Sequence, residues 1–258
     1  LVGGMESMSR IPLGGANPSP HPGWLADRPD IYIAMGQTAE RVARRYNVSR
    51  RAQDEWAVRS QTRAAEARAR GVLAEEIVPV LRLDASSPVD AREDDSIRPG
   101  STAEKLATLV PAFAADGTVT AGNSCPTSDG ASALLVASTD TVHALGLTPL
   151  GRYVSYAVAG VDPGLMGIGP VAAVPRALAR ASLTLEDMHR IELNEAFASQ
   201  VVAVVRELGL PEERVNPNGG ALALGHPLGA SGARLVGTLL RELARCDGRW
   251  GLATLCVG

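Results

Sequence analysis

Four segments of this 258-residue chain hold residue types that chemistry could use. At residues 194–197, Asn-Glu-Ala-Phe, a polar pair follows what reads as a short strand over 190–193 and precedes a helix. Such junctions lie at the edge of α/β sheets where ligands settle, although Asn and Glu serve equally well as helix caps. Residues 216–232, Asn-Pro-Asn-Gly-Gly-Ala-Leu-Ala-Leu-Gly-His-Pro-Leu-Gly-Ala-Ser-Gly, hold five glycines around His226. Glycines at that density let the backbone pass close to a ligand or another chain. The loop feeds a helix N-terminus, which favours negative charge. Neither a phosphate-binding Gly-Lys-Ser/Thr nor a G-x-G-x-x-G spacing is present. Cys256 closes an apolar stretch; a buried cysteine is ordinarily a core residue, but one at a sheet edge near a base can become a reactive thiolate. Last, residues 41–70 carry nine arginines among Glu40, Asp54, Glu55 and Glu66. They read as a solvated helix face first and as a dock for a phosphorylated cofactor second. No aromatic platform accompanies them, which argues against nucleic acid.

Positioning these groups needs layers. Helices are expected over 37–46 and from Ser49 to Gly71, then an extended stretch over 76–83 and a polar loop over 84–100. Ser101-Thr102-Ala103-Glu104 reads as a capping box opening a short helix. Strands are expected over 119–124, 133–138, 151–159, 190–193 and 251–256, and helices over 139–145, 170–181, 196–208 and 231–244. This alternation gives an α/β fold.

Composition agrees: 45% hydrophobic and 21% charged residues are ordinary for a globular protein. The net charge of −3 gives no reason to expect nucleic-acid binding. No apolar run reaches the ~18 residues of a membrane span. Three widely spaced cysteines (Cys125, Cys246, Cys256) suggest neither a disulfide framework nor a zinc site and fit a reducing compartment. The chain opens at Leu1 and stops just after an apolar run, so it is expected to be a fragment of a longer protein.

Taken in order, six motifs resemble those of the thiolases along the whole chain. They are Gly-Gly-Met-Glu-Ser-Met-Ser (3–9), Met-Gly-Gln-Thr-Ala-Glu (35–40), Gly-Thr-Val-Thr-Ala-Gly-Asn (117–123), Asn-Glu-Ala-Phe (194–197), Gly-His-Pro-Leu-Gly-Ala-Ser-Gly (225–232) and Cys-Val-Gly (256–258). The resemblance implies an acetyl-CoA acyltransferase without the family's N-terminal third and last strand. It implies two similar α/β halves, layered α-β-α-β-α, with an inserted loop domain that holds coenzyme A. Residues 1–117 would be mainly loop domain, 118–147 the end of the first half and 148–258 most of the second.

The resemblance also assigns roles. Asn194 would hold a water that, with His226, stabilises the thioester enolate oxygen, and His226 would activate the nucleophilic cysteine. Cys256 would be the general acid/base, and the Gly258 N–H part of a second oxyanion hole. Met35, Phe113 and Phe197 would line the acyl and pantetheine pocket. Cys125 stands where many relatives place a serine that contacts the pantetheine arm, and a thiol is the weaker partner. Ala34 stands where short-chain biosynthetic relatives carry a histidine, which tilts the reading towards the degradative branch of fatty-acid β-oxidation.

These roles suit a Claisen condensation, which needs positioned donors for an enolate oxygen, a thiolate to carry the acyl group and a second thiol to move the proton. The nucleophilic cysteine would lie before Leu1, so the chain alone is expected to be inactive. Coenzyme A and acyl-CoA would be substrates, with no permanent cofactor or metal, no nucleic acid and no membrane partner. For the parent the resemblance implies a homodimer or homotetramer, in the cytoplasm. Ketoacyl synthases usually lack the terminal cysteine. A non-catalytic acyl-CoA- or lipid-binding relative would need neither a base nor two oxyanion donors.

Overall fold

The computed structural model describes residues 1–82 and 89–257. The expected oxyanion residue Gly258, the end of the 76–83 stretch and the start of the 84–100 loop lie outside them. The first half of the element order is β1 (Val2–Ser7), α1 (Pro22–Asp27), α2 (Met35–Arg45), α3 (Arg50–Ala69), β2 (Val80–Arg82), β3 (Val89–Ala91) and α4 (Ala103–Ala107). Then come β4 (Asp129–Leu134), α5 (Thr139–Ala144), α6 (Gly169–Ala181), β5 (Arg190–Leu193), α7 (Ala198–Leu208), α8 (Ala221–Leu224), α9 (Leu228–Arg245) and β6 (Gly251–Thr254).

α9 touches two strand pairs: β1 and β4, which run antiparallel, and β5 and β6, which run parallel. On the other side, α7 packs against α2, α3 and α6. Residues 198–205 of α7 are all buried, as befits a helix enclosed by other elements. Val42, Trp56, Val174, Ile191, Leu193, Val201 and Val204 belong to the core around it. At roughly 25 cal/mol per Å² of apolar surface removed from water, this cluster is the main source of stability. α3 starts where the sequence indicates, with Ser49 Oγ accepting from the Ala52 N–H at 3.2 Å. No helix among the described residues is long and apolar enough to cross a membrane.

Four expectations are corrected. The strand expected over 133–138 lies earlier, at Asp129–Leu134, where it pairs with β1. Residues 119–124 form no strand, because Asn123 takes over the local bonding. Its Oδ1 accepts from Thr120 N–H at 2.8 Å, and its Nδ2 donates to Asp54 at 2.9 Å and to the Thr118 carbonyl at 3.1 Å. Residues 151–159 form no strand either; among the described residues no partner strand satisfies their backbone groups, and Tyr153 and Tyr156 are exposed. The cap of α4 is Thr102, accepting from Lys105 N–H at 3.3 Å, while Ser101 Oγ donates back to the Arg98 carbonyl.

Candidate active site

Strand register brings the first two groups together. β5 and β6 pair from Arg190 with Gly251 to Leu193 with Thr254, and just beyond the ladder Asn194 N–H donates to the Thr254 carbonyl at 3.0 Å. Asn194 and Cys256 thus leave the same end of the parallel pair, the end where α/β proteins bind ligands. Asn194 is fully buried, yet neither Oδ1 nor Nδ2 has a hydrogen-bond partner. Such a group is costly unless water or a ligand completes it. Helix capping does not explain it, since the N-cap of α7 is Phe197.

Glu195 is a buried knot rather than a cap. Its carboxylate accepts from Trp56 Nε1 (3.0 Å), Ser60 Oγ (2.6 Å), Asn216 Nδ2 (2.9 Å) and Leu222 N–H (3.3 Å). It therefore fastens α3 and the glycine-rich loop to the end of β5. Gly220 shows why the loop needs glycine: a Cβ there would lie 2.2 Å from Glu195 Cδ. Gly225, at φ +88°, turns the chain just before His226 in a left-handed conformation that costs glycine little.

His226 is 9% exposed and held at both ends. Its backbone N–H donates to Ser128 Oγ at 3.1 Å, and its Nδ1 lies 2.6 Å from Ser231 Oγ. Burial, helped by the Arg234 cation, depresses the imidazole to about 4, so the ring is neutral at physiological pH. No direct hydrogen bond joins it to the Asn194 side chain, whose polar atoms have none.

Cys256 is buried with Ala39, Val119, Met166, Ala196 and Phe197, and Met35 packs against the same cluster. Phe113, itself 38% exposed, meets Phe197 edge-to-face at 6.0 Å. Met35, Phe113, Phe197 and Cys256 are therefore neighbours. Met166 is one that sequence reasoning missed; a methionine among glycines carries no local signal. Cys125 joins the same neighbourhood, its N–H donating to the Ala196 carbonyl at 3.0 Å. Desolvation pushes the Cys125 thiol up to about 12 and Cys256 to about 11. Both are thiols, not thiolates, at neutral pH. Cys246 is remote from them, at the C-terminus of α9.

The arginine run is divided: Arg41, Arg44, Arg45, Arg51 and Arg70 are exposed, and Arg50, Arg59, Arg63 and Arg68 are half-buried. Arg50 bonds Asp54 and the Leu106 and Leu109 carbonyls, and Arg51 bonds Glu55. Arg59 grips Glu212, while Arg63 bonds the Val215 and Asn216 carbonyls. The contacts of Arg50, Arg59 and Arg63 tie α3 to the loops beside it, while Arg51 lies on a solvated face. Behind β5, Glu192 is fully buried 3.6 Å from Arg234, and neither carboxylate oxygen is hydrogen-bonded. Burial lifts that carboxyl to about 8. Among the described residues no group of three His, Cys, Asp or Glu side chains could hold a metal ion.

An α/β scaffold thus brings an amide and a thiol to one end of a parallel strand pair, and a neutral imidazole stands at the head of the helix packed on it. Residues 1–140 match the family model of the thiolase N-terminal domain, and residues 147–258 match that of the thiolase C-terminal domain. The chain belongs to the thiolase family. It is 49% identical over 267 residues to a 3-ketoacyl-CoA thiolase of Bacillus subtilis (strain 168), covering 100% of this chain and 68% of that protein. An acetyl-CoA acetyltransferase of Cupriavidus necator is 50% identical over 232 residues, covering 89% of this chain and 59% of that one. The crystal structure of human mitochondrial 3-ketoacyl-CoA thiolase in complex with CoA superposes with a TM-score of 0.89 at 40% identity, over 99% of this chain and 67% of that one.

Proposed function

We propose that the protein containing this chain transfers acyl groups between coenzyme A thioesters, cleaving a 3-ketoacyl-CoA with CoA or running the reverse Claisen condensation. The observation that carries this reading is the buried Asn194 amide with both polar atoms unspent, beside Cys256 at the end of the β5–β6 pair. A water held on that amide and the His226 Nε2 would face the enolate oxygen, where fixed donors are worth most. Cys256, arriving as a protonated thiol, would give a proton to the carbanion and recover it from the next CoA thiol. Gly258 would contribute its N–H to the second oxyanion hole. Met35, Phe113 and Phe197 would receive the acyl and pantetheine portions, with Cys125 beside the pantetheine arm.

Acyl transfer through a covalent thioester also needs a nucleophilic thiolate. By the likeness to the thiolases that nucleophile would be a cysteine before Leu1, and the chain alone would then not turn over. Residues 1–117 would be mainly the loop domain, with 118–147 the end of the first half and 148–258 most of the second. Fatty-acid β-oxidation in the cytoplasm by a homodimer or homotetramer is the setting proposed.

The test is thiolysis of a 3-ketoacyl-CoA by the full-length parent and its Cys256→Ala variant, alongside calorimetric CoA binding. Loss of turnover with CoA affinity kept is the expected result. Unchanged turnover would sink the role of Cys256, and CoA binding by a parent without any turnover would favour a non-catalytic acyl-CoA-binding protein.

A further inference from the structure

For His226 to act as a base, its Nε2 must carry a lone pair, and the side chain behind it decides whether it does. Ser231 is 1% exposed, and its Oγ lies 2.6 Å from His226 Nδ1 and 2.9 Å from the Pro227 carbonyl oxygen. A hydroxyl has one proton to give. The carbonyl can only accept, so an oxygen–oxygen separation of 2.9 Å with no proton on the line would set lone pair against lone pair. The hydroxyl proton therefore points at Pro227, and the 2.6 Å contact is filled by the imidazole's own Nδ1–H. The chain Nδ1–H to Oγ–H to carbonyl spends every polar group once, and linked hydrogen bonds of this kind polarise and strengthen one another.

We propose that Ser231 is a positioning residue that holds His226 in the Nδ1–H tautomer, leaving Nε2 free to take the proton of the nucleophilic thiol. In that step the S–H bond breaks, its electron pair stays on sulfur and the proton bonds to Nε2. The imidazolium formed keeps its Nδ1–H on Ser231 and presents Nε2–H as a donor. The same proton leaves when the acyl–sulfur bond is cleaved and the thiol re-forms. Arg234, one turn further along α9, is the charged group that acts on the ring besides burial, and it favours the neutral form at rest. The use of the base rests on the acyl-transfer reading; the tautomer does not.

The experiment is a long-range ¹H–¹⁵N correlation spectrum of the ¹⁵N-labelled chain, with the His226 ring assigned by its loss in His226→Gln. The expected pattern is a protonated Nδ1 and an unprotonated Nε2. Ser231→Ala should move the tautomer ratio towards Nε2–H by about five- to tenfold, the worth of one hydrogen bond, and Ser231→Thr should restore it. A wild-type ring protonated at Nε2, or a ratio unmoved in Ser231→Ala, overturns the proposal. Should Ser231→Ala fail to fold, the wild-type spectrum decides alone. The spectrum reads the ring and not turnover, so an inactive parent would leave the tautomer standing. A reversed tautomer would leave acyl transfer standing and remove Ser231 from it.

Discussion

The two strand pairs that touch α9 live in opposite circumstances. From Ile191 at β5 through Val205 in α7 every residue is buried, Glu192, Asn194, Glu195 and Gln200 included. β4 alternates between exposed and half-buried positions, and the chain after it presents Leu135, Val136, Tyr153 and Tyr156 to solvent. The candidate active site is attached to the first region. Its polar groups are fixed because nothing around them can move without opening a packed core, whereas changes in the second region should be felt as solubility rather than as geometry.

The largest effect should come from cutting the knot on the buried side. Glu195→Ala strands four donors and should cost about 5 kcal/mol in urea unfolding; a loss under 1 kcal/mol would show that the buried polar region is not what holds the site. Glu192 should come next, with a sign set by pH. Its folded value of about 8 lies above the usual 4.5, so its stabilising contribution is complete below 4.5 and is lost as pH rises through 8. Glu192→Gln, fixed in the neutral form, should match the wild type at pH 4 and exceed it by about 5 kcal/mol at pH 9 in paired melts. An equal difference at both pH values would remove the buried carboxylate from the argument.

Gly36→Ala probes the edge of the site, where a Cβ would lie 2.1 Å from the Phe113 ring. Displacing that ring from Phe197 should cost about 1–3 kcal/mol, read by chemical denaturation. On the exposed side, Tyr153→Ser should leave the unfolding midpoint within about 0.5 kcal/mol while lowering binding of a hydrophobic dye. If it destabilises as much as Gly36→Ala, the contrast between the two regions fails.

Much of this was legible in the sequence, and the failures have one cause. Ser49 announced α3 and the 190–193 strand appeared at its expected bounds, because caps and short alternations such as Arg-Ile-Glu-Leu act over a few residues. Asn194, His226 and Cys256 were singled out through their motifs, and the structure gives each of them a distinct setting. The strands expected over 119–124 and 151–159 failed because a strand needs a distant partner, which a local pattern does not report. Ser231, Arg234 and Glu192 went unread for the same reason: their meaning comes from the neighbours that folding supplies. Ser231 was the most accessible of them, standing five residues after His226 within a motif already singled out.

The parallel register of β5 and β6 has a consequence that concerns counting. Arg190 pairs with Gly251 and Leu193 with Thr254, so Asn194 lies level with Leu255 and Cys256 one residue beyond, and the ladder works like a vernier scale. Side chains alternate faces with a period of two, so a slip of one residue in β6 would bring Leu255 to the place of Cys256 and turn every side chain of that strand over. The thiol would leave the site although no residue had been replaced. Deleting one residue within β6 itself, downstream of the turn at 246–250, is therefore the change that would move the thiol.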